Sequence, residues 1–564
     1  VVKTLVDDLA KCPTAENEVP DPDGFMAGIK LHPHQKHALI WMQWREGCTP
    51  PGGILADDMG LGKTIETIAL ILASLKEDER VKDCKMGESS RTTPGGTLIV
   101  CPANVVIQWQ DEFMLKVKKR ALSIFKFHYD QKEHRKSVLA DFDVVITSYE
   151  TLNKNLKDRG VFSKIHWRRV ILDEGHKIKN DKTEISKCVT KLDSDKRWVL
   201  TGTPVHNGKR DLYAIFRFLK LESFEISNIF NTWIDNDNHW GITRLNKILS
   251  AIMLRRTKQD YQAKNPDSKL FSKKYIVIHK IELSADERQA YDCVMKQTKQ
   301  QLLVKLNNQQ VPAKVLASSG IVTTNHVLTM IMRLRQMCVH PCLIWKQVAG
   351  EMAQEIQATK LKLREALDCI NKTDEQIKID HPIFDEDNLS TKLKAVLQKI
   401  QEITENEDKV IVVSEFVQVL NLIALHLKKR PNGKDDYEFY TGITKPAERA
   451  RVVRKFNDVC STKILLLSLK AGGQGLNLMA ANHVIIVDVH WNPQLENQAH
   501  DRVHRIGQTK DVYIHKFLCN DSIEERIVAL QQIKMDIADA ALAGTAGSNR
   551  FCDDELRFLF DVRK

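Results

Sequence analysis

Short apolar runs of strand length, separated by amphipathic stretches of helical length, recur in two distinct parts of this sequence. In the first part GGIL (52–55), TLIV (97–100), DVVIT (143–147), RVILD (169–173) and RWVLT (197–201) read as buried strands. Helical patterns follow over Thr64–Leu75 and Val105–Val117. From about 391 the same texture returns in VIVVSEF (410–416), KILLLSL (463–469), HVIIVDV (483–489) and DVYIHKF (511–517). Strands alternating with helices predict parallel α/β sheets, hence an α/β chain with two such lobes. Between 208 and 390 the strand signal fades and charged helical stretches dominate, as at Asp286–Leu306, Val327–Gln336 and Glu351–Ile370. The polar segment Cys84–Gly96 reads as a surface loop. The expected organisation is an N-terminal arm over 1–27, a first lobe over 28–207, helical protrusions and a linker over 208–390, a second lobe over 391–535, and a helical tail over 536–564.

Composition narrows the class. A chain of 564 residues exceeds one small domain. Hydrophobic residues at 43% and charged residues at 28% exclude a wholly disordered or collagen-like chain. No apolar run approaches the roughly 18 residues of a membrane span, so no membrane partner is expected. The chain opens at Val1 without a signal peptide, which reads as a piece of a longer protein. Its twelve cysteines contain no C-x-x-C, so free thiols are expected and a zinc ribbon or RING is not. Cys338, His340 and Cys342 come nearest to a metal-ligand array, and core packing is the preferred reading for them. A formal net charge of +11 permits a polyanionic partner without requiring one.

Several motifs carry chemistry. GGILADDMGLGKT (52–64) runs from an apolar strand into a helix. Glycines there let backbone N–H groups close on phosphate oxygens, and the helix N-terminus adds its dipole. Asp58, Gly60, Gly62, Lys63 and Thr64 are the nucleotide-binding candidates, with Lys63 for the β- and γ-phosphates and the Thr64 hydroxyl for Mg²⁺. Asp57 stands where the strict phosphate-loop pattern has Gly, and taken alone the segment also fits a Gly-rich turn. In DEGH (173–176) Asp173 is the candidate metal ligand and Glu174 the residue that polarises the attacking water; alone, the motif fits a solvated acidic turn equally well. Thr201 and Thr203 of LTGTPVHN (200–207) sit where a nucleotide state could be sensed, and Gln35 of LHPHQ (31–35) offers an amide to an adenine edge. Arg502 and Arg505 in QAHDRVHRIGQ (498–508) would share one helix face, either as arginine fingers or as a plain basic surface. Basic runs at Lys116, Lys118, Lys119, Arg120 and over 154–164 are candidate DNA surfaces, with a solvated face as the simpler reading.

Taken in order, LHPHQ, DDMGLGKT, LIVCPANVVIQWQDEF (98–113), VVITSYETL (144–152), DEGH, LTGTPVHN, RQMCVHPCL (335–343), VVSEF (412–416), SLKAGGQGLNL (468–478) and QAHDRVHRIGQ make the chain resemble the Swi/Snf family of helicase-related ATPases. The resemblance runs from about 28 to 530 and is most similar to the lodestar and transcription-termination group of that family. It implies two RecA-like lobes with helical protrusions, ATP with Mg²⁺ in the cleft between the lobes, and translocation on double-stranded DNA. In this family Asp is ordinary at position 57. Glu174, Arg502, Arg505 and Lys63 are then the implied catalytic residues, with Gln35, Lys63, Thr64 and Asp173 on the nucleotide and its metal. Thr147, Ser148 and Tyr149 match DNA-backbone motifs in the first lobe; Ser414, Lys470, Ala471, Gly472 and Trp491 match those in the second. The group further implies a nuclear protein that dislodges RNA polymerase II with its transcript. A nucleosome remodeller and a catalytically silent DNA-binding scaffold are the alternatives, and the intact Lys63, Glu174, Arg502 and Arg505 speak against the scaffold.

Overall fold

The structure is a computed structural model and describes residues 2–14, 19–86, 93–127, 135–157, 160–202, 210–235, 239–264, 270–307, 324–344, 381–430, 436–472 and 476–543. Thr203 and Pro204, the stretch Glu351–Ile370, Gly473 and Gly475, and the acidic 553–555 lie outside the described residues. The chain divides into two compact units, the first Val1–Leu270 with Asp536–Asn549 and the second Phe271–Met535 with Arg550–Lys564.

Among the described residues the first unit holds seven strands: β1 (Gly52–Leu55), β2 (Thr93–Cys101), β3 (Ile124–Phe127), β4 (Val144–Ser148), β5 (Ile165–Asp173), β6 (Ser194–Leu200) and β7 (Met253–Leu254). They form one sheet in the order β3-β4-β2-β5-β6-β1-β7, with every pair parallel. The described residues of the second unit hold six: β8 (Lys274–Ile281), β9 (Val410–Ser414), β10 (Tyr437–Tyr440), β11 (Ile464–Ser468), β12 (His483–Ile486) and β13 (Val512–Cys519). Their order is β10-β11-β9-β12-β13-β8, again all parallel. The expected pair of parallel α/β sheets is therefore present.

Both faces of each sheet are covered, which is why the strands read as unbroken apolar runs. Along β2, Leu98 and Val100 enter one core while Ile99 and Cys101 enter the other. Along β9, Val410 and Val412 face one core and Ile411 and Val413 the opposite one. Each such side chain contributes roughly 1.5–3 kcal/mol on burial.

Two local readings differ from the sequence-based expectation. The 208–390 stretch supplies a strand to each sheet as well as helices, with β7 on β1 and β8 on β13. Strand β8 escapes a sequence reading because it is a sheet edge, with Tyr275, Ile276 and Ile278 exposed. The ends of the expected loop Cys84–Gly96 are helix (Lys63–Met86) and strand (β2). A glycine is needed at 96 because a Cβ there would collide with the Asp143 carbonyl, so the composition that suggests a loop marks a close approach of strands. The described part of the 1–27 arm packs on the first unit: helix Val2–Leu9 lies against helix His239–Ile252, and Phe25 bridges Val117. No helix among the described residues is long and apolar enough to cross a membrane.

A buried charge cluster ties the helix carrying LHPHQ to the sheet. Glu46 ends helix Pro33–Glu46 and accepts from Arg169 Nε (2.5 Å) and Nη2 (2.7 Å) on β5. On β6, Trp198 Nε1 (2.9 Å) donates to it and Lys196 Nζ (2.7 Å) pairs with it. Burial alone would raise the Glu46 pKa, but Arg169 and Lys196 outweigh it and hold the carboxyl down at about 2. The folded value lies below the ordinary 4.5, so this stabilisation is complete above 4.5 and is lost as pH falls through about 2. Glu46→Ala removes the carboxylate that neutralises the buried Arg169 guanidinium and is expected to cost about 3–5 kcal/mol. In Glu46→Gln the loss of melting temperature relative to wild type should shrink as pH is lowered from about 6 to 3; a gap independent of pH would remove the charge from the explanation.

Candidate active site

Strand β1 ends at Leu55 and the chain turns through Ala56–Gly62 into helix Lys63–Met86. Gly60 (φ 90°) and Gly62 (φ 105°) take left-handed conformations that let the backbone fold tightly ahead of the helix. A Cβ at Gly62 would also collide with the Gln35 amide, so the loop and Gln35 fit each other through the missing side chain. Gln35 is buried; its Nε2 donates to Leu61 O (3.1 Å) and its Oε1 accepts from His32 N (3.0 Å). His34 Nε2 lies 3.0 Å from the same Leu61 carbonyl. Burial holds the His34 ring neutral, its pKa lowered to about 4. Lys63 Nζ folds over the loop and donates to the carbonyls of Asp57 (2.5 Å) and Asp58 (3.2 Å).

Asp57 is fully buried, and its partner is Arg256, in the turn after β7. The Arg256 Nε lies 3.1 Å from each carboxylate oxygen, Nη2 bonds Oδ2, and the Arg256 N–H donates to Oδ1 (2.9 Å). Nη2 also reaches Glu66 Oε1 (3.0 Å) in the first helical turn. Burial, with Asp57 nearby, pushes Glu66 upward against the pull of Arg256. Arg256 lies in none of the sequence motifs. The signal available was the acid in a glycine position, which once buried demands a cation.

Asp173 and Glu174 stand where β5 ends. Asp173 Oδ2 accepts from Trp109 Nε1 (2.8 Å), Oδ1 accepts from Glu174 N (2.9 Å), and its carbonyl accepts from Tyr149 Oη (2.8 Å). Burial, then the neighbouring Glu174, pushes the Asp173 carboxyl above the usual range. Glu174 is left-handed (φ 50°, ψ 52°), a conformation costing about 1–2 kcal/mol for a residue with a Cβ and concentrated at functional sites. His176 Nδ1 lies 3.5 Å from its carboxylate. Thr201, after β6, donates its N–H to Leu55 O (3.1 Å) at the root of the phosphate loop. A carboxylate offers about four lone-pair sites, so two bonds leave Asp173 with acceptor capacity. Its oxygens and the Thr64 hydroxyl are hard donors of the kind that suits Mg²⁺.

Three first-unit residues assigned to DNA are buried and bonded internally. Thr147 Oγ1 donates to Phe127 O (3.0 Å), Ser148 Oγ donates to Thr151 Oγ1 (2.9 Å), and Tyr149 supports Asp173 as above. Lys118, Lys119 and Arg120 are exposed, whereas Lys116 pairs with Glu112.

In the second unit, Ser414 ends β9 with its hydroxyl on buried Asp488, which follows β12. Burial pushes the Asp488 carboxyl up to about 6, against the opposing pull of Arg335. Arg335 is fully buried; Nη1 donates to Glu415 Oε2 (2.7 Å) and Nη2 to Val489 O (2.7 Å). Its guanidinium lies 5.2 Å from the ring centre of half-buried Trp491. Lys470 is exposed on the short helix Leu469–Gly472, Ala471 is half-buried, and buried Gly472 accepts from Arg502 Nε through its carbonyl (3.2 Å). Arg502 and Arg505 do not share a helix face. Helix Pro493–His500 stops before them, and the turns that follow are held by the Gln508 amide on Met479 O (3.0 Å) and Ala481 O (2.9 Å). Arg502 is consequently buried, while half-buried Arg505 donates from Nε to Asp501 O (2.8 Å). His340 of the Cys338–His340–Cys342 trio has Nε2 2.7 Å from Asn388 O and accepts at Nδ1 from Cys342 N (3.1 Å).

The SNF2-related domain pattern matches residues 34–343, and the helicase conserved C-terminal domain matches 391–507. The chain belongs to the SNF2 family of ATP hydrolases. Transcription termination factor 2 of Drosophila melanogaster is 34% identical, over 100% of this SNF2 chain and 61% of its own length. DNA repair protein RAD5A of Arabidopsis thaliana is 30% identical, over 90% of the chain and 60% of its own length. The SNF2 chain thus spans about three-fifths of these two relatives. A solved Sulfolobus solfataricus SWI2/SNF2 ATPase core in complex with dsDNA is 26% identical over 97% of this chain and 100% of that one, with a TM-score of 0.40.

Gly62→Ala places a Cβ against Gln35 in a backbone conformation that alanine resists. Titration with a fluorescent ATP analogue is expected to give at least tenfold weaker binding, about 1.4 kcal/mol. Unchanged affinity would show that the loop does not need this fit.

Proposed function

We propose that this chain is the motor of a double-stranded-DNA-dependent ATPase that tracks along duplex and displaces bound complexes, foremost RNA polymerase II with its transcript, in the nucleus. The observation that carries the termination reading is its 34% identity to transcription termination factor 2 across 100% of the chain. The ATPase reading rests on the edge of the first sheet, where Lys63, the glycine turn and Glu174 follow parallel strands.

In the proposed mechanism Lys63 exchanges the carbonyls of Asp57 and Asp58 for phosphate oxygens, a charge-assisted contact in place of a neutral one. Backbone N–H groups at the start of helix Lys63–Met86 hold the same phosphates. Thr64 and Asp173 would hold Mg²⁺, which when bound neutralises charge on the transferring phosphoryl group. Trp109 orients Asp173 for that duty. Glu174, fixed in its left-handed turn, polarises the attacking water. Arg502 and Arg505 supply positive charge during turnover, and Gln35 contributes to the adenine end while bracing the loop. Exposed Lys470, with half-buried Ala471 and Trp491, forms the proposed DNA-backbone surface of the second unit, and Ser414 and Gly472, both buried, serve it by shaping the ends of β9 and of the short helix after β11. Thr147, Ser148 and Tyr149 serve the first by shaping the end of β4. Phosphate contacts of this kind are insensitive to sequence and sensitive to salt.

Hydrolysis is expected to be stimulated by duplex DNA well above single-stranded DNA or RNA. Glu174→Gln should keep nucleotide binding and lose turnover, Lys63→Ala should weaken both, and Arg505→Ala should lose turnover with DNA affinity nearly intact. Equal stimulation by RNA would overturn the duplex track, and normal turnover in Glu174→Gln would overturn its role. Release of stalled polymerase and transcript from a template by wild type but not by Glu174→Gln would support the termination reading. Nucleosome sliding without polymerase release would favour a remodeller.

A further inference from the structure

We propose that Arg256 is the positioning residue of the phosphate loop, and that the 254–258 segment after β7 thereby sets how well Lys63 is placed for nucleotide. This rests on the ATPase reading above and deepens it. The segment is bound to the loop along its length. Ala56 N donates to Leu254 O (2.7 Å), Asp58 N to Arg256 O (3.0 Å), and Lys258 N to Asp58 Oδ2 (3.0 Å). These bonds prolong the parallel pairing of β1 with β7 beyond the last strand residue.

The Arg256 side chain then touches three further points. It grips Asp57 with Nε and Nη2, reaches Glu66 at 3.0 Å in the first turn of the helix, and bonds the His34 carbonyl through Nη1. His34 in turn lies on the Leu61 carbonyl at the far end of the loop. One guanidinium therefore acts on the start of the loop, its end and the helix that follows. The carbonyls of Asp57 and Asp58, whose residues this segment pins, are the ones on which the Lys63 ammonium rests. Arg256 acts through the loop and need not meet nucleotide. The planar fork is needed for this: Lys would carry the charge but could not span two carboxylates and a carbonyl.

The test compares wild type with Arg256→Lys and Asp57→Asn in the full chain. Arg256→Ala is avoided because it strands two buried carboxylates. Fluorescent-ATP affinity, duplex-stimulated KM and kcat, duplex affinity and thermal melting are measured together. The expected result is a KM for ATP and a nucleotide Kd raised at least tenfold in both variants. Duplex affinity should stay within about twofold of wild type, and kcat should fall less than KM rises. A lower melting temperature with unchanged nucleotide Kd and KM would overturn the inference and leave Arg256 a purely structural ion pair. If wild type binds the ATP analogue but does not hydrolyse ATP, the ATPase reading fails while the affinity comparison still decides the role of Arg256. Wild type that binds no nucleotide overturns both.

Discussion

Parallel pairing is the constraint from which the rest follows. In an all-parallel sheet every strand runs the same way, so the loops that follow the strands emerge along one edge. In the first unit that edge collects the phosphate loop after β1, Ser148 and Tyr149 at the end of β4, Asp173 and Glu174 at the end of β5, and Thr201 after β6. In the second it collects Ser414 at the end of β9, Lys470 after β11, and Asp488 with Trp491 after β12. Segments far apart in the chain meet because strand direction leaves them no other place. This is the general rule for open α/β sheets, whose ligands lie beyond the carboxyl ends of the strands.

Charges taken out of water then hold the edges in register. Glu46 joins one helix to β5 and β6. Arg256 joins the phosphate loop to the turn after β7, and Arg335 joins the ends of β9 and β12. Each cluster is buried, so its members are costly alone and tolerable only together. Such groups specify one arrangement more than they add net stability. In two of the three the cation is an arginine in a turn or a helix, Arg256 and Arg335, supporting an acid or carbonyl that follows a strand.

Much of this was legible from residue order. The apolar runs at 52–55, 97–100, 169–173, 410–414 and 464–468 are strands because both faces of each are buried, and a run buried on both faces needs no partner to be recognised. The glycines at 60 and 62 with Lys63 announced a tight turn into a helix, and Asp173–Glu174 announced a strand end. The edge strand β8 was not legible, since it is largely exposed and its pairing with β13 joins residues more than two hundred positions apart. Nor were the turns at Arg502 and Arg505, because what ends the preceding helix there is aided by a glutamine amide reaching back to Met479 and Ala481.

The sequence by itself determined the fold class and the family and pointed to the candidate nucleotide residues, because local periodicity and short motifs encode what a few adjacent residues do. Tertiary structure alone decided which groups stand behind them. It turned Thr147, Ser148 and Tyr149 inward and placed Trp109 on Asp173. It set Arg256 against Asp57 and Glu66 at sequence separations of 199 and 190. The physical reason is that a buried carboxylate requires a cation but does not say where in the chain that cation lies; only the packed sheet supplies the neighbour.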